Sequence, residues 1–356
     1  MSVSSESIEV ERRSETKPYQ MMRGHTEEVR GVAHLHDGRH IITCSVDASL
    51  RLWDRESGAQ IGSDWQDDRN QAAVYTISLS PDGKTVASGS MDGMVKLWDI
   101  ETRKVTAKWT GHTVAVWSIH WGADGMCVAS GSIDGTVRVW EIKSGETVLG
   151  PIKTGNKWVY AVVYSPDSSN IASGGDKAIE IWDTTTGERL SALEQDSQVF
   201  CLAWTLDQKK LIAGLENHSI RIFNTTTLEQ IAILEGHTSF VRAISLLQDD
   251  RLLASASFDS TARLWNLDTN LPVGPPLQHQ HWVWDAAFSA DGKSLVTACA
   301  DNNAYVWNTH TILKEAGLRD LLSLPNVSVR IASPSAPSDM LQTASMHFSP
   351  FFATDH

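Results

Sequence analysis

The sequence lacks several features that define other classes of protein. It has no run of 18 apolar residues, which a membrane-spanning helix would require, and its polar N-terminus lacks the apolar segment of a signal peptide. The four cysteines are scattered and include no Cys-x-x-Cys pair; they are Cys44, Cys127, Cys201 and Cys299. We therefore expect free thiols, no insertion into a membrane, and a cytoplasmic location with the nucleus as an alternative.

Basic residues are outnumbered by acidic ones. The chain has 30 Lys and Arg against 43 Asp and Glu, which gives a formal net charge of −13. Binding to nucleic acid or to an anionic membrane needs a basic surface, so we expect neither kind of partner. Basic peptides or proteins are electrostatically easier partners.

One internal repeat dominates the chain. A phrase of the type SMDGMVKLWD or SFDSTARLWN occurs seven times, at steps of 41 to 45 residues. Its aromatic residue is Trp53, Trp98, Trp140, Trp182, Phe223, Trp265 or Trp307. Each repeat contains four short alternating segments separated by turn signals such as SPDGK, a pattern that predicts four antiparallel strands.

The phrase and its period resemble the blade of the WD-repeat β-propeller family. The resemblance covers residues 16–309 and implies an all-β, seven-bladed propeller with four antiparallel strands per blade, used as an interaction platform. The close repeats and the Ser/Pro-rich tail are also similar to the expanded fungal WD-repeat proteins. The chain departs from the family pattern at Phe223 and Asn224, which replace Trp-Asp, and the second, fourth and fifth blades lack Gly-His.

Counting the strands predicts how the ring closes. Seven blades need seven fourth strands, but only six such segments lie between the repeats; the segment TKPYQMMRGH (16–25) aligns with them. We therefore predict that the N-terminal strand completes the last blade. The expected organisation is a disordered acidic segment (1–15), the propeller (16–309), a short helix (310–324) and a disordered Ser/Pro-rich tail (325–356). HFSPFF in that tail is an alternative motif for docking a partner.

A Ser or Thr, a His and an Asp stand at fixed spacing in four of the repeats. A hydrolase interpretation makes them nucleophile, base and orienting acid. The family resemblance instead implies hydrogen-bonded tetrads in which Asp bonds His, His bonds Ser or Thr, and Ser or Thr bonds the Trp indole. The expected tetrads are His25, Thr43, Asp47 and Trp53; His112, Ser130, Asp134 and Trp140; His237, Ser255, Asp259 and Trp265; and His279, Thr297, Asp301 and Trp307. Catalytic machinery is usually built once, whereas this set recurs with the scaffold, so we predict a structural role and no enzyme.

We expect neither a cofactor nor a metal. The glycines lie at hairpin turns and not in a loop that opens a helix, as phosphate cradles require. His34, His36 and His40 alternate near a turn but lack further ligands, which predicts a solvated hairpin.

A set of aromatic residues points to a binding surface. In WD-repeat proteins the loops between strands four and one, and between strands two and three, share one face, which we call the top face. Three positions per blade reach this face, and nine of these 21 residues are aromatic, whereas 27 aromatics in 356 residues would place about 1.6 there by chance. Aromatic and arginine residues are favoured anchors of interfaces. The expected partner site comprises Arg30, Tyr75, Trp117, Trp158, Tyr160, Phe200, Phe240, Arg242, Phe258, Trp282 and Trp284.

The stretch HWVWDAAF (281–288) contributes two of these aromatics. Strand alternation directs Val283 into the sheet packing and both Trp282 and Trp284 to the other side, so we expect both rings to be partly exposed. The alternative is that the rings pack on one another and close the channel mouth. Trp121 and Trp204 take the inward positions of their strands and are expected in the core.

We predict a monomeric, non-catalytic scaffold that binds a peptide segment or protein partner of unknown identity on the top face. Such a segment would place an apolar or cationic side chain among the rings and a carboxylate or phosphate against Arg30 and Arg242. The alternative function is a receptor for a small ligand or glycan, because aromatic faces also stack on sugar rings.

Overall fold

The computed structural model describes residues 16–67 and 71–322. Within them, 27 strands form seven antiparallel sheets. Each sheet is one blade of a propeller, as the repeats predict. The segments expected to be disordered, 1–15 and 325–356 with its HFSPFF motif, lie outside the described residues.

We number the strands β1 to β27 in chain order, and the blades by the order of their first strands. The first strands, which surround the central channel, are β2 (Val29–His34), β5 (Val74–Leu79), β9 (Val116–Trp121), β13 (Val159–Tyr164), β17 (Val199–Trp204), β21 (Val241–Leu246) and β25 (Val283–Phe288). The second strands are β3 (His40–Ser45), β6 (Thr85–Ser90), β10 (Cys127–Ser132), β14 (Asn170–Gly175), β18 (Lys210–Leu215), β22 (Leu252–Ser257) and β26 (Ser294–Cys299). The third strands are β4 (Leu50–Asp54), β7 (Val95–Asp99), β11 (Thr136–Glu141), β15 (Ala178–Asp183), β19 (Ile220–Asn224), β23 (Thr261–Asn266) and β27 (Asn303–Asn308). The outer strands are β8 (Lys104–Trp109), β12 (Thr147–Lys153), β16 (Arg189–Glu194), β20 (Gln230–Leu234), β24 (Leu271–Gln278) and β1 (Gln20–Arg23).

The N-terminal strand closes the ring, which confirms the prediction from counting. Strand β1 pairs with β27 in antiparallel register, with Gln20 opposite Val306 and Arg23 opposite Asn303. The outer position of the first blade is less regular, because the three-stranded sheet there is extended only by isolated bridges at Gln60 and Trp65.

The aromatic residues of the repeat phrase are buried in the hydrophobic core. Their exposed fractions are 6% or less at Trp53, Trp98, Trp140, Trp182, Phe223, Trp265 and Trp307. Truncating a buried side chain of this size to alanine usually costs about 3–5 kcal/mol. The phrase that identifies the repeat therefore also supplies packing between blades, because each of these aromatics shares a core cluster with residues of a neighbouring blade.

A short helical segment follows the last blade. Helix α1 (Thr309–Glu315) is capped by Asn308, whose side chain accepts a hydrogen bond from the Thr311 amide, and a 3-10 turn follows at Arg319–Leu322. Gly317 separates the two with a φ of +71°, a conformation that terminates helices. None of the helices in the described part of the chain is long and apolar enough to cross a membrane.

Candidate partner-binding face

The first strands of all seven blades surround a channel with a volume of about 740 Å³. One residue of the expected partner site from each blade lines it, and these seven are Arg30, Tyr75, Trp117, Tyr160, Phe200, Arg242 and Trp284. The structure thus brings together residues that are up to 254 positions apart in the sequence.

A β-bulge directs each of these residues toward the channel. In blade 7, Val283 is opposite Cys299 and Asp285 is opposite Ala298, so Trp284 is the extra residue of the pairing. In each of the other six first strands the corresponding residue likewise has no partner in the pairing with the second strand. A bulge re-aims the side chain of the extra residue. Simple alternation of side chains did not predict these seven bulges.

Eight side chains form a closed ring, which we call the channel-mouth ring; its members in order are Tyr75, Trp117, Tyr160, Phe200, Phe240, Phe258, Trp284 and Arg30. Neighbouring aromatic centroids lie 4.6–5.9 Å apart. The Arg30 guanidinium carbon closes the ring, at 3.4 Å from the Trp284 centroid and 5.2 Å from that of Tyr75. Aromatic and cation–π contacts of this kind each contribute on the order of 1 kcal/mol, so the ring is preorganised.

Arg242 reaches across the mouth from blade 6. Its guanidinium carbon lies 4.9 Å from the Trp117 centroid and 5.7 Å from those of Phe200 and Trp284, and its Nη1 donates to the Phe200 carbonyl at 3.0 Å. Burial lowers the pKa of Arg242 to about 10, which leaves it charged at neutral pH. Burial also lowers the pKa of Arg30, which is paired with Glu28 at 2.8 Å.

The two tryptophans of HWVWDAAF differ in exposure. Trp282 is 43% exposed, as predicted, and stacks on Phe258 with centroids 4.9 Å apart. The prediction for Trp284 is wrong, because it is only 7% exposed. Its bulge turns it toward the channel, where Arg30 covers one ring face and blade-core residues such as Val29 pack against it.

The other members of the expected site are partly buried. The ring centroids of Trp158 and Tyr160 lie 6.1 Å apart, and the Lys157 ammonium lies 4.3 Å from the Trp158 ring centroid. Phe240 and Phe258 lie farther from the channel than the bulge residues. The rings therefore pack on one another and also leave part of their surface accessible, which combines both interpretations of the sequence.

Asp285 and His34 are among the titratable residues that line the channel below the ring. The Asp285 carboxylate accepts hydrogen bonds from the Val32 and Ala286 amides, at 3.0 and 2.8 Å, and burial raises its pKa to about 6. His34 is 9% exposed, so its expected place in a solvated hairpin is wrong, and burial lowers its pKa to about 4. Sequence reasoning missed Asp285, although no other of the seven repeats has an acid at the aligned position, which was a usable signal.

Three of the expected tetrads have the complete hydrogen-bond chain. In blade 3, His112 Nδ1 lies 2.9 Å from Asp134 and Nε2 lies 2.8 Å from Ser130, which also accepts from the Trp140 indole at 2.8 Å. Blades 1 and 6 repeat this arrangement with corresponding distances of 2.7–2.8 Å. Burial alone would raise the pKa of Asp134, but the bonds from His112 and from Thr136 outweigh it and lower the pKa well below its usual range.

The fourth tetrad differs from the prediction. His279 Nε2 and the Trp307 indole bond Thr297 at 2.8 and 3.0 Å, but His279 Nδ1 donates to the Leu277 carbonyl at 3.0 Å. Asp301 instead accepts a short hydrogen bond from the Tyr305 hydroxyl. The inclusion of Asp301 in a His-bonded tetrad is therefore corrected.

The tetrad hydroxyls are unsuited to nucleophilic attack. Thr43, Ser130, Ser255 and Thr297 have exposed fractions of 0%. Each oxygen is also held between an indole and an imidazole, so a substrate has no approach to it. Among the residues that the structure describes, no three His, Cys, Asp or Glu side chains are placed to hold a metal ion.

Comparison with known proteins agrees with this geometry. The family model described as WD domain, G-beta repeat matches more than half of the chain, at residues 16–54, 67–99, 103–141, 149–183, 228–266 and 274–308. The chain belongs to the WD-repeat family. The unmatched interval between 184 and 227 contains the divergent Phe223 and Asn224.

Several WD-repeat relatives carry names from cell division. The chain is 28% identical over 243 residues to Cell division cycle 20.1, cofactor of APC complex, of Arabidopsis thaliana, covering 65% of this chain and 52% of the relative. It is 30% identical over 126 residues to B-type cell cycle switch protein ccs52B of Medicago truncatula, covering 34% and 26%. It is 33% identical over 115 residues to Anaphase-promoting complex subunit cdh1 of Dictyostelium discoideum, covering 31% and 15%. The matched part thus spans about half or less of each relative.

Proposed function

We propose that the protein is a non-catalytic interaction scaffold that binds an extended segment of a protein partner on its top face. The observation that carries the proposal is the channel-mouth ring, with Trp282 exposed beside it. Soluble proteins rarely expose large aromatic surfaces without a binding role. The ring is assembled from all seven blades, so it forms only in the folded propeller and offers one defined surface.

The preorganisation of the ring favours binding. Because its neighbouring side chains already contact one another, few rotamers are lost when a ligand covers them. Trp282 is available for contact, since it stacks on Phe258 and yet keeps 43% of its surface exposed. Tryptophan is one of the residues enriched at interface hot spots.

The relatives support a protein partner over a glycan. Two of them are named as a cofactor or a subunit of a complex, which describes a role among other proteins. The similarity covers the repeats and therefore the element that builds the top face. We extend to this chain only the class of partner, a protein.

The test is selection of peptides from a random display library on the full chain. We expect Trp282→Ala to weaken binding of the selected peptides by about 30-fold, the loss typical of a hot spot, while the protein stays folded. The matched control is Leu271→Ala, which removes a 61% exposed apolar side chain from an outer strand and should change nothing.

Two outcomes would contradict the proposal. Peptides that bind wild type and Trp282→Ala equally well would place the binding surface elsewhere. If no peptide is selected and the protein binds sugars on a glycan array in a way that depends on Trp282, the receptor function is favoured instead.

A further inference from the structure

The mouth of the channel contains several buried hydrogen-bond donors that no described residue satisfies. They are the indole Nε1 atoms of Trp117 and Trp284 and the Nε atoms of Arg30 and Arg242. Trp284 is more than nine-tenths buried, and all four residues line the channel. A buried donor without an acceptor is costly, so each such group in a native structure calls for an explanation.

All four groups donate and none accepts. An indole N–H and a guanidinium N–H can be satisfied only by a lone pair. The indoles of Trp117 and Trp284 come from opposite sides of the mouth and lie within 6 Å of the Arg242 guanidinium carbon. What these four groups lack is therefore an acceptor.

Charge narrows the class of acceptor. Arg30 has a partner in Glu28, whereas Arg242 forms no ion pair with any carboxylate in the described part of the chain. One positive charge is thus left without a direct partner. The channel below already holds Asp285, and the chain as a whole has a net charge of −13, which both disfavour a doubly charged anion such as phosphate.

We propose that the channel mouth binds a carboxylate, an Asp or Glu side chain of the partner segment, between the indoles of Trp117 and Trp284 and the guanidinium of Arg242. This inference rests on the proposed function, because it assigns the ligand chemistry of the same face. The carboxylate accepts from the indole N–H groups and neutralises Arg242, while the aromatic rings contact the apolar part of the segment.

The direct test is a titration of the full chain with ¹⁵N-labelled tryptophan, observed through the indole N–H signals. The probe is N-acetylglutamate α-amide, and the matched control is N-acetylglutamine α-amide, which has the same shape without the charge. We expect saturable shifts of the Trp117 and Trp284 signals, assigned with the Trp→Phe variants, and only with the glutamate probe. The Trp140 signal should stay fixed, because its N–H is held by Ser130 at 2.8 Å.

Variants of the arginine extend the test. Arg242→Met should weaken the glutamate probe by about 10-fold or more, and Arg242→Lys by less, since lysine keeps the charge but loses the planar fork. Equal shifts with both probes would overturn the proposal, as would stronger binding of N-acetylphosphoserine α-amide. If Arg242→Met does not fold, the comparison of the two probes on wild type still decides.

The peptide library separates this inference from the proposed function. The selected peptides could need Trp282 but lack Asp and Glu and bind Arg242→Lys normally. That result would support the binding face and overturn the proposed carboxylate site. If no selected peptide needs Trp282, the proposed function fails, while the indole titration still tests the carboxylate site by itself.

Discussion

Replacing Trp284 by alanine tests the account of the channel mouth. Trp284 is 7% exposed, against 2% for the core residue Trp140 and 43% for Trp282 two positions away. Removing a buried tryptophan usually costs about 3–5 kcal/mol. Trp284→Ala also removes the ring that supports the Arg30 guanidinium at 3.4 Å and the edge that contacts Phe258 at 4.6 Å.

We expect Trp284→Ala to lower the free energy of unfolding by about 3 kcal/mol, toward the low end of that range, because the flexible Arg30 side chain can partly fill the space. Trp284 also has no indole hydrogen bond among the described residues, whereas Trp140 donates to Ser130 at 2.8 Å. Trp140→Ala should therefore cost more, on the order of 4–5 kcal/mol.

Urea unfolding followed by far-ultraviolet circular dichroism measures these differences, with Trp282→Ala as the matched control. Trp282→Ala should cost only about 1 kcal/mol, because much of its surface is already in water. If Trp284→Ala and Trp282→Ala have the same urea midpoint, Trp284 is not part of the packing and the bulge argument is refuted.

Three further predictions concern closure, the tetrads and the channel acid. Deleting residues 1–25 should lower the thermal midpoint strongly, since it removes β1 from its pairing with β27, whereas deleting 1–14 should leave it almost unchanged; equal midpoints would reject closure by this strand. Asp134→Ala should cost about 1–3 kcal/mol in urea unfolding because it removes the carboxylate that His112 Nδ1 bonds at 2.9 Å and leaves only the Thr136 hydroxyl, at 3.2 Å. Asp301→Ala should leave the His279 bond to the Leu277 carbonyl intact, and an equal loss of histidine N–H protection from hydrogen exchange in both variants would contradict this difference. The pKa of Asp285 is raised to about 6 from its ordinary 3.8, so the folded state binds more protons between these values and the ionised carboxylate destabilises the fold as pH rises through this window. Asp285→Asn should therefore gain stability relative to wild type between pH 4 and pH 7, and a difference in urea midpoint that does not change with pH would argue against a raised pKa of Asp285.

The repeat made the architecture predictable. A period near 42 residues with a large aromatic at one fixed position defines a blade, and the count of outer strands required a segment from the N-terminus. Strand β1 pairs with β27 as that count demands. Both arguments use only the spacing of residues along the chain and the need to pair the edge strands of a sheet.

The exposure of Trp284 was not predictable in the same way. Strict alternation treats a strand as regular, whereas β25 contains a bulge between Val283 and Asp285. A bulge depends on how two strands pair, and nothing in the eight residues of HWVWDAAF specifies that pairing. The seven repeats do share the bulge, so a single known WD-repeat blade would have supplied it.

The role of Asp301 had a signal that was not used. In the three complete tetrads the residue two positions after the Asp is a Ser or Thr whose hydroxyl bonds that carboxylate at 2.6 Å; these residues are Ser49, Thr136 and Thr261. The corresponding residue in blade 7 is Asn303, and Tyr305 lies two positions after it. The hydroxyl of Tyr305 bonds the Asp301 oxygen that corresponds to the one bonded by histidine in the three complete tetrads.

The bulges also explain how one scaffold can present a mixed surface. A bulge residue is the one position of a first strand that has no partner in the neighbouring strand, so its side chain can vary without altering the sheet register. Here the arginines occupy blades 6 and 1, on either side of Trp284, and aromatic residues occupy blades 2 to 5. The Arg30 guanidinium stays beside Trp284 and Tyr75, whereas that of Arg242 reaches across the mouth to Trp117 and Phe200. With its carboxylate at Arg242, the segment that we propose would place its neighbouring apolar side chains on the rings from Tyr75 to Phe200.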